Sequence, residues 1–252
     1  MSTIIHGKHS LLEALYANIP VEVIYIIDNY HERDLILKEI DKFNQNHTIT
    51  IKTVNRKDFE RITGPGKVQG VAAEVNFPQS VELSELLRTR RSLTDTPFYV
   101  LLDHLEDPQN VGAILRSAEC AGVQGIVIPK VRSAGMTGTV VKTSAGAVFH
   151  LPVAEVSNIA QSIERMKKED IWIVGTHQEG ETFYYDVDFT LPVAIVIGAE
   201  GEGMKQLVKN KCDFVVKIPL LGKIKSLNAA SAASIIFFEV VRQRNLKRKN
   251  TK

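Results

Sequence analysis

The segment that most constrains the fold is FYVLLDHL at 98–105, a nearly continuous apolar run. A strand with one solvent face alternates apolar and polar residues. An unbroken run marks a strand covered on both faces, as in the interior of a parallel sheet. Comparable runs recur as QGIVIP, LPVAEV, IWIVGT, PVAIVIGAE and FVVKIP. Between them lie segments of helical period: VGAILRSAECAG, ending at Gly122, then TVVKTSAG, IAQSIERMKKE, MKQLVKN and the long LNAASAASIIFFEVVRQR. Strands alternating with helices predict an open parallel α/β sheet, which binds ligands beyond the carboxyl ends of its strands.

The first 76 residues form a different pattern. KHSLLEALYAN has Leu11, Leu12 and Leu15 at helical spacing, VEVIYII (21–27) reads as a strand, and ERDLILKEIDKF carries an apolar stripe of Leu35, Ile36, Ile40 and Phe43. TITIKTV, RKDFERI and VAAEV (71–75) continue as strand, short helix and strand. The predicted organisation is a small α/β domain at 1–76, a linker at 77–96 bracketed by Pro78 and Pro97, a larger α/β domain at 97–245 and a basic tail at 246–252. The Gly-rich, basic loop GPGKVQG (64–70) is expected to be mobile.

Several function classes drop out. No apolar run approaches the roughly 18 residues that span a bilayer, and MSTIIHGKHS lacks the apolar core of a signal peptide. Cys120 and Cys212 form no C-x-x-C, which disfavours a disulfide framework or a thiolate zinc site. His6, His9, His104, His150 and His177 show no metal-ligand spacing, so no metal is expected. A soluble, cytoplasmic protein is the expectation, with Trp172 in the core and Cys120 packed inside. Net charge is only +2, yet the last eleven residues, RQRNLKRKNTK, carry six basic residues and no acidic one. Arg88, Arg90 and Arg91 form a second basic cluster. Such clusters suit phosphate backbones, although a solvated tail is as common.

Three strand ends carry polar residues in patterns that packing alone does not require. In LLDHLEDPQNVGAILRSAECAG, Asn110 is placed to cap the helix, and Arg116 lies in an otherwise apolar stretch with Glu119 at i+3, the spacing of an ordinary surface pair. In VAIVIGAEGEGM, Gly198, Gly201 and Gly203 let backbone approach a ligand, and Glu200 and Glu202 share the turn. That spacing is neither a dinucleotide fingerprint nor a P-loop, and two carboxylates would repel phosphates, so a cationic or neutral ligand fits better. In VVKIPLLGKIKSLNAASAASIIFFE, Lys223 and Lys225 precede Ser226, Leu227 and Asn228, with Ser226 at a helix N-cap position and a run of small residues after it.

Taken in order, Asn110-x5-Arg116, Gly198-x-Glu200-Gly201-x-Gly203 and IPLLGKIKSLNAASA resemble the three signature motifs of the SpoU (TrmH-like) RNA 2′-O-ribose methyltransferases of the SPOUT superfamily, across roughly 97–245. The N-terminal GKHSLLEAL…GVAAEV pattern resembles the ribosomal-protein-like RNA-binding domain of the 23S ribosomal RNA guanosine (RlmB-like) branch. The resemblance implies a catalytic sheet with a C-terminal trefoil knot, S-adenosylmethionine as cofactor with S-adenosylhomocysteine as product, and a homodimer whose active site is shared between subunits. It implies catalytic roles for Arg116, Asn110, Glu200, Ser226 and Asn228. Cofactor contacts would fall at Gly198, Ile218, Leu227, Thr176, Gly175 and Gly201. The resemblance gives Arg116 the activating role, as general base in some accounts of the family; guanidinium stays charged at all ordinary pH, so the alternative is that Arg116 clamps an RNA phosphate and stabilises a developing alkoxide, with Asn110 and Glu200 orienting it and Ser226 and Asn228 in the loop that meets RNA and cofactor. Two departures are Ala229-Ala230, where many members have Val-Ser, and the basic Lys223-Ile224-Lys225.

The implied substrate is ribosomal RNA. Transfer RNA ribose methylation is the alternative within the same chemistry, and a non-catalytic RNA-binding or assembly protein the alternative outside it. Neither a membrane nor DNA is an expected partner. Lys8, Arg56, Lys57 and Lys67 are candidate RNA contacts, and the 242–252 tail is expected to add to RNA affinity.

Overall fold

The computed structural model describes residues 2–43, 49–64, 69–88 and 96–250. Lys67, Arg90, Arg91 and most of the 64–70 loop lie outside them. Two compact units emerge: 1–79 with 135–150, and 80–134 with 151–252.

The first unit is a four-stranded sheet in the order β1-β4-β2-β3, built from β1 (Ser2–His6), β2 (Val21–Ile27), β3 (Thr50–Val54) and β4 (Val71–Asn76). Only β2 and β3 pair in parallel; β4 runs antiparallel to both β1 and β2. The elements α1 (Lys8–Tyr16), α2 (Arg33–Phe43) and α3 (Arg56–Thr63) alternate with the strands. Leu11, Leu15, Ile36 and Ile40, the apolar stripes of the first two helices, are buried. On α3 only Phe59 is buried, and it packs with Tyr25 and Ala72. Strand β1 was not anticipated, because IIH is too short to show a period. The mid-chain segment 135–150 also belongs to this unit; its helix, Gly138–Thr143, packs on β1.

The second unit opens with α4 (Leu83–Arg88), inside the stretch expected to be a linker. Leu83 and Leu86 are buried in this unit's core, and Gly125 lies so close to Leu86 that a Cβ there would sit 2.4 Å from its side chain. The chain continues through β5 (Phe98–Asp103), α5 (Pro108–Cys120) and β6 (Gly125–Pro129). Following α6, the Gly138–Thr143 helix, come β7 (Val153–Val156), α7 (Ile159–Lys167), β8 (Trp172–Thr176) and β9 (Thr182–Phe183). The last elements are β10 (Val193–Gly198), α8 (Gln206–Lys209), β11 (Phe214–Lys217) and α9 (Ala229–Asn250). Seven strands pair in parallel in the order β7-β6-β5-β10-β8-β11-β9. Every residue of β5, β6 and β10 is buried, as the unbroken apolar runs require. From β5 the chain winds toward one edge through β6 and β7, then crosses to build the other side. The switch point, where a crevice opens in such sheets, therefore lies around β5, β10 and β8.

Two expectations about packing fail. Trp172 is 45% exposed because it begins β8 at the sheet's rim, beside Phe214. Cys120 is exposed at the end of α5. Cys212 is the packed thiol, and burial pushes its pKa up to about 12.

The basic end of the chain is helical as far as Asn250, and part of its charge is structural. Arg244 Nε donates to Phe189 O at 3.0 Å, Nη1 to Thr96 O at 2.8 Å, and Nη2 to Pro97 O at 2.9 Å and Leu191 O at 3.0 Å. Its guanidinium also lies 5.4 Å from the Phe98 ring centre. One planar fork thus satisfies carbonyls in the two segments that enter β5 and β10. Arg242 pairs with Glu239. Replacing Arg244 with Ala removes several charge-assisted bonds and is expected to cost about 2–3 kcal/mol, read as a lowered urea midpoint at constant slope. Arg244→Lys should recover less than half of that, because an ammonium cannot reproduce the fork.

Candidate active site

Loops from the carboxyl ends of β8, β10 and β11 enclose a cavity of about 720 Å³. Thr176, His177 and Gln178 come from the first, Gly198 through Gly201 and Gly203 from the second, and Ile218, Leu220 and Lys225 through Asn228 from the third. Ala229, Ala232 and Ile236 of α9 complete the wall. Small side chains at the start of α9 leave this space open.

The β10 loop is held in a tight reversal. Ala199 and Gly203 exchange backbone hydrogen bonds at 3.1 and 2.9 Å. A Cβ on Gly198 would lie 2.3 Å from both the Gly203 carbonyl carbon and the Met204 nitrogen, so only glycine fits. Gly201 and Gly203 have φ of 79° and 68°, the left-handed region open to glycine.

Asn228 joins the three distant motif segments. Its Nδ2 donates to Asn110 Oδ1 at 2.7 Å and to Glu200 Oε1 at 2.6 Å. The same Glu200 oxygen accepts the Ala229 N–H at 3.3 Å. The Asn228 side-chain oxygen in turn accepts the N–H groups of Ala230 and Ser231 at 3.0 and 3.2 Å, capping α9. The cap is therefore Asn228; Ser226 lines the cavity and is exposed. Likewise Asp107 caps α5 by accepting the Gln109 N–H at 3.0 Å, because Pro108 sets the first helical position. That leaves Asn110 inside the helix, buried and free to meet Asn228.

Among the residues expected at the cofactor, Thr176, Gly198, Gly201, Ile218 and Leu227 line this cavity, and Gly175 does not. Gly175 faces the core instead, where a Cβ would strike Met204 and Cys212 at 2.6 and 2.7 Å. Of the expected catalytic residues, Glu200, Ser226 and Asn228 line it and Asn110 adjoins it through Asn228. Arg116 lies on an exposed face of α5, lines neither this cavity nor the next, and makes no hydrogen bond or ion pair among the described residues. The surface pair with Glu119 that the i+3 spacing allows is not formed.

A second cavity of about 370 Å³ lies across the Ala199–Glu200 wall, lined by His104, Leu105, Glu106, Asp107, Asn110, Arg132, Glu202 and Lys205. Behind it Asp103 is fully buried at the end of β5. Asp103 Oδ2 accepts the Lys205 N–H at 2.7 Å, and Oδ1 lies 2.5 Å from His104 Nδ1. The Lys205 ammonium, bonded to Glu202, holds that carboxyl below the usual range. Sequence reasoning missed this group. Its signal was an Asp-His pair closing an otherwise apolar strand.

Residues 97–238 match the model of the SpoU rRNA Methylase family, and residues 4–81 match that of the RNA 2′-O ribose methyltransferase substrate-binding domain. A TrmH family tRNA/rRNA methyltransferase of Bacillus subtilis is 40% identical over 239 residues, covering 95% of both chains. One from Staphylococcus saprophyticus is 39% identical over 242 residues, covering 96% of both. The SpoU methyltransferase AviRb from Streptomyces viridochromogenes superposes with a TM-score of 0.80 at 27% identity, over 98% of this chain and 91% of that one. AviRb in complex with its cofactor AdoMet gives 0.81 at 25% identity, over 97% and 91%. The chain belongs to the SpoU/TrmH family of RNA methyltransferases.

Proposed function

We propose that this protein transfers a methyl group from S-adenosylmethionine to a ribose 2′-hydroxyl of ribosomal RNA, at a guanosine of the 23S molecule, and that it does so as a homodimer. The observation that carries this is the cavity at the β8, β10 and β11 ends, with Glu200 fixed in its wall by Asn228. Its volume is within the range of small-molecule sites, roughly 300–1,000 Å³, and Glu200, its one lining carboxylate among the described residues, suits a cation, with Lys225 on the opposite loop. Thr176, Gly198, Gly201, Ile218 and Leu227 would hold the cofactor, largely through backbone. The C-terminal part is inferred to form a trefoil knot, consistent with β10 inserted between β5 and β8 and with Asn228 returning across the 199–203 turn.

When bound, S-adenosylmethionine supplies an electrophilic methyl on a sulfonium. This chain's residues must then place the sugar oxygen in line with it, which removes several kcal/mol of entropic cost. Asn110 and Glu200 share Asn228 rather than Arg116, so their inferred part is to fix the cavity wall and the start of α9. Arg116 would clamp a phosphate and stabilise the developing alkoxide. Since it lies outside the cavity of its own chain, it would reach the site of a second subunit. Leu221, fully exposed, and Ile224, 77% exposed, give the 218–228 loop an apolar surface for such a partner.

Labelled S-adenosylmethionine and hypomethylated 23S transcript should yield a 2′-O-methylnucleoside, mapped by ribose-sensitive primer extension. Transfer to transfer RNA alone would replace the ribosomal assignment, and transfer to no RNA by folded protein would end the methylation reading. Arg116→Ala should lower kcat at least about 100-fold with S-adenosylhomocysteine affinity unchanged by calorimetry. Mixed under subunit exchange with Gly198→Ala, whose own cavity is blocked but whose Arg116 is intact, it should regain activity; no regain would count against a shared site. Gly198→Ala should abolish S-adenosylhomocysteine binding, because its Cβ collides with backbone.

A further inference from the structure

Methyl transfer to a hydroxyl releases a proton, and nothing assigned so far accepts it. Arg116 cannot, because a guanidinium has no acceptor lone pair. Two histidines line the cavities. The Glu179 N–H donates to His177 Nδ1 at 3.1 Å. In the neutral ring of His177 the proton is then on Nε2, and no free lone pair remains. His104 is the reverse case. Its Nδ1 faces the Asp103 carboxylate, which only accepts, so Nδ1 carries the proton and Nε2 keeps its lone pair. His104 also sits at φ 59°, a left-handed conformation uncommon outside glycine. Two bonds fix its partner: buried Asp103 is held from the other side by the Lys205 N–H of the turn that carries Glu200. The cavity that His104 lines shares Ala199 and Glu200 with the larger one.

The geometry points to His104, oriented by Asp103, as the proton acceptor for the ribose hydroxyl, with the ribose entering the smaller cavity. This rests on the 2′-O-methylation reading above. The O–H bond breaks and its proton passes to Nε2. The oxygen's electron pair forms the C–O bond to the methyl carbon, and the C–S pair returns to sulfur, leaving a neutral thioether. The imidazolium then loses its proton to water. Its charge is faced by Asp103, Glu106 and Asp107 on the β5–α5 loop, by Arg132 after β6, and by Glu200, Glu202 and Lys205 on the β10–α8 loop.

The test uses the full-length protein with His104→Gly, which keeps the left-handed backbone, His104→Gln and Asp103→Asn. Both His104 variants should lose about 10²–10⁴-fold in kcat, with RNA KM moved less than about threefold, S-adenosylhomocysteine affinity unchanged, and the acid limb of the pH–rate profile removed. Added imidazole should restore His104→Gly. Nitrogen-15 spectra of the resting wild-type protein should show the Nδ1–H tautomer at His104, and Asp103→Asn should shift it. Wild-type kcat in His104→Gly, a retained acid limb, or an Nε2–H tautomer would overturn the assignment. If the wild-type protein methylates RNA at a base instead of a ribose, it is the 2′-O reading that fails, and the assignment falls with it.

Discussion

The Asn228 side chain makes the contacts that everything at the site depends on. A primary amide offers two donors and an acceptor in one plane; here the donors reach segments 118 and 28 residues away, and the acceptor is used within the first turn of α9. The donors grip Glu200 and Asn110, and the acceptor starts a 22-residue helix. Cavity wall, β10 turn and α9 are thereby set by one group. An aspartate would keep the cap but face Glu200 with a like charge. An alanine would lose the cap and leave buried Asn110 without this partner, a cost of about 1–3 kcal/mol.

The larger domain was legible because buried parallel strands leave an unmistakable apolar signature. FYVLLD, GIVIP and VAIVIG are strands buried along their whole length, as their composition demands. What stayed hidden is what tertiary contact decides. Strand β9 has two residues and exists only by pairing with β11. The 135–150 segment joins the first unit although nothing in its sequence distinguishes it from its neighbours. Asn110 and Ser226 both stand where caps are common, but Pro108 and Asn228 move the helix starts and reassign both. Gly175 follows the same logic: a glycine at a strand end suggests a ligand, whereas here Met204 and Cys212 take the space.

Charge was legible as a sum, whereas its intramolecular partners are set by tertiary contact. The six positive charges at the C-terminus suggested an arm for polyanions. Arg244 is committed to four carbonyls, and Arg242 pairs with Glu239 while staying half-exposed. A guanidinium with four of its five N–H groups on backbone carbonyls can offer a phosphate no two-pronged grip, and one face lies against Phe98.

The two cavities pose opposite electrostatic problems that one wall resolves. A sulfonium in the larger cavity would sit more easily beside a neutral imidazole than beside an imidazolium, whose like charge repels it. Glu200 stands between them, with one oxygen held by Asn228 and the Ala229 N–H on the α9 side. On the proposed mechanism its charge would face both the cofactor's cation and the proton that leaves the sugar. A carboxylate in that position would lower the cost of positive charge on either side in turn, since in the proposed transfer the ring would gain its charge as the sulfonium lost its own. The net charge around Glu200 is thus the same before and after transfer, which is the condition under which a rigid, preorganised wall need not rearrange.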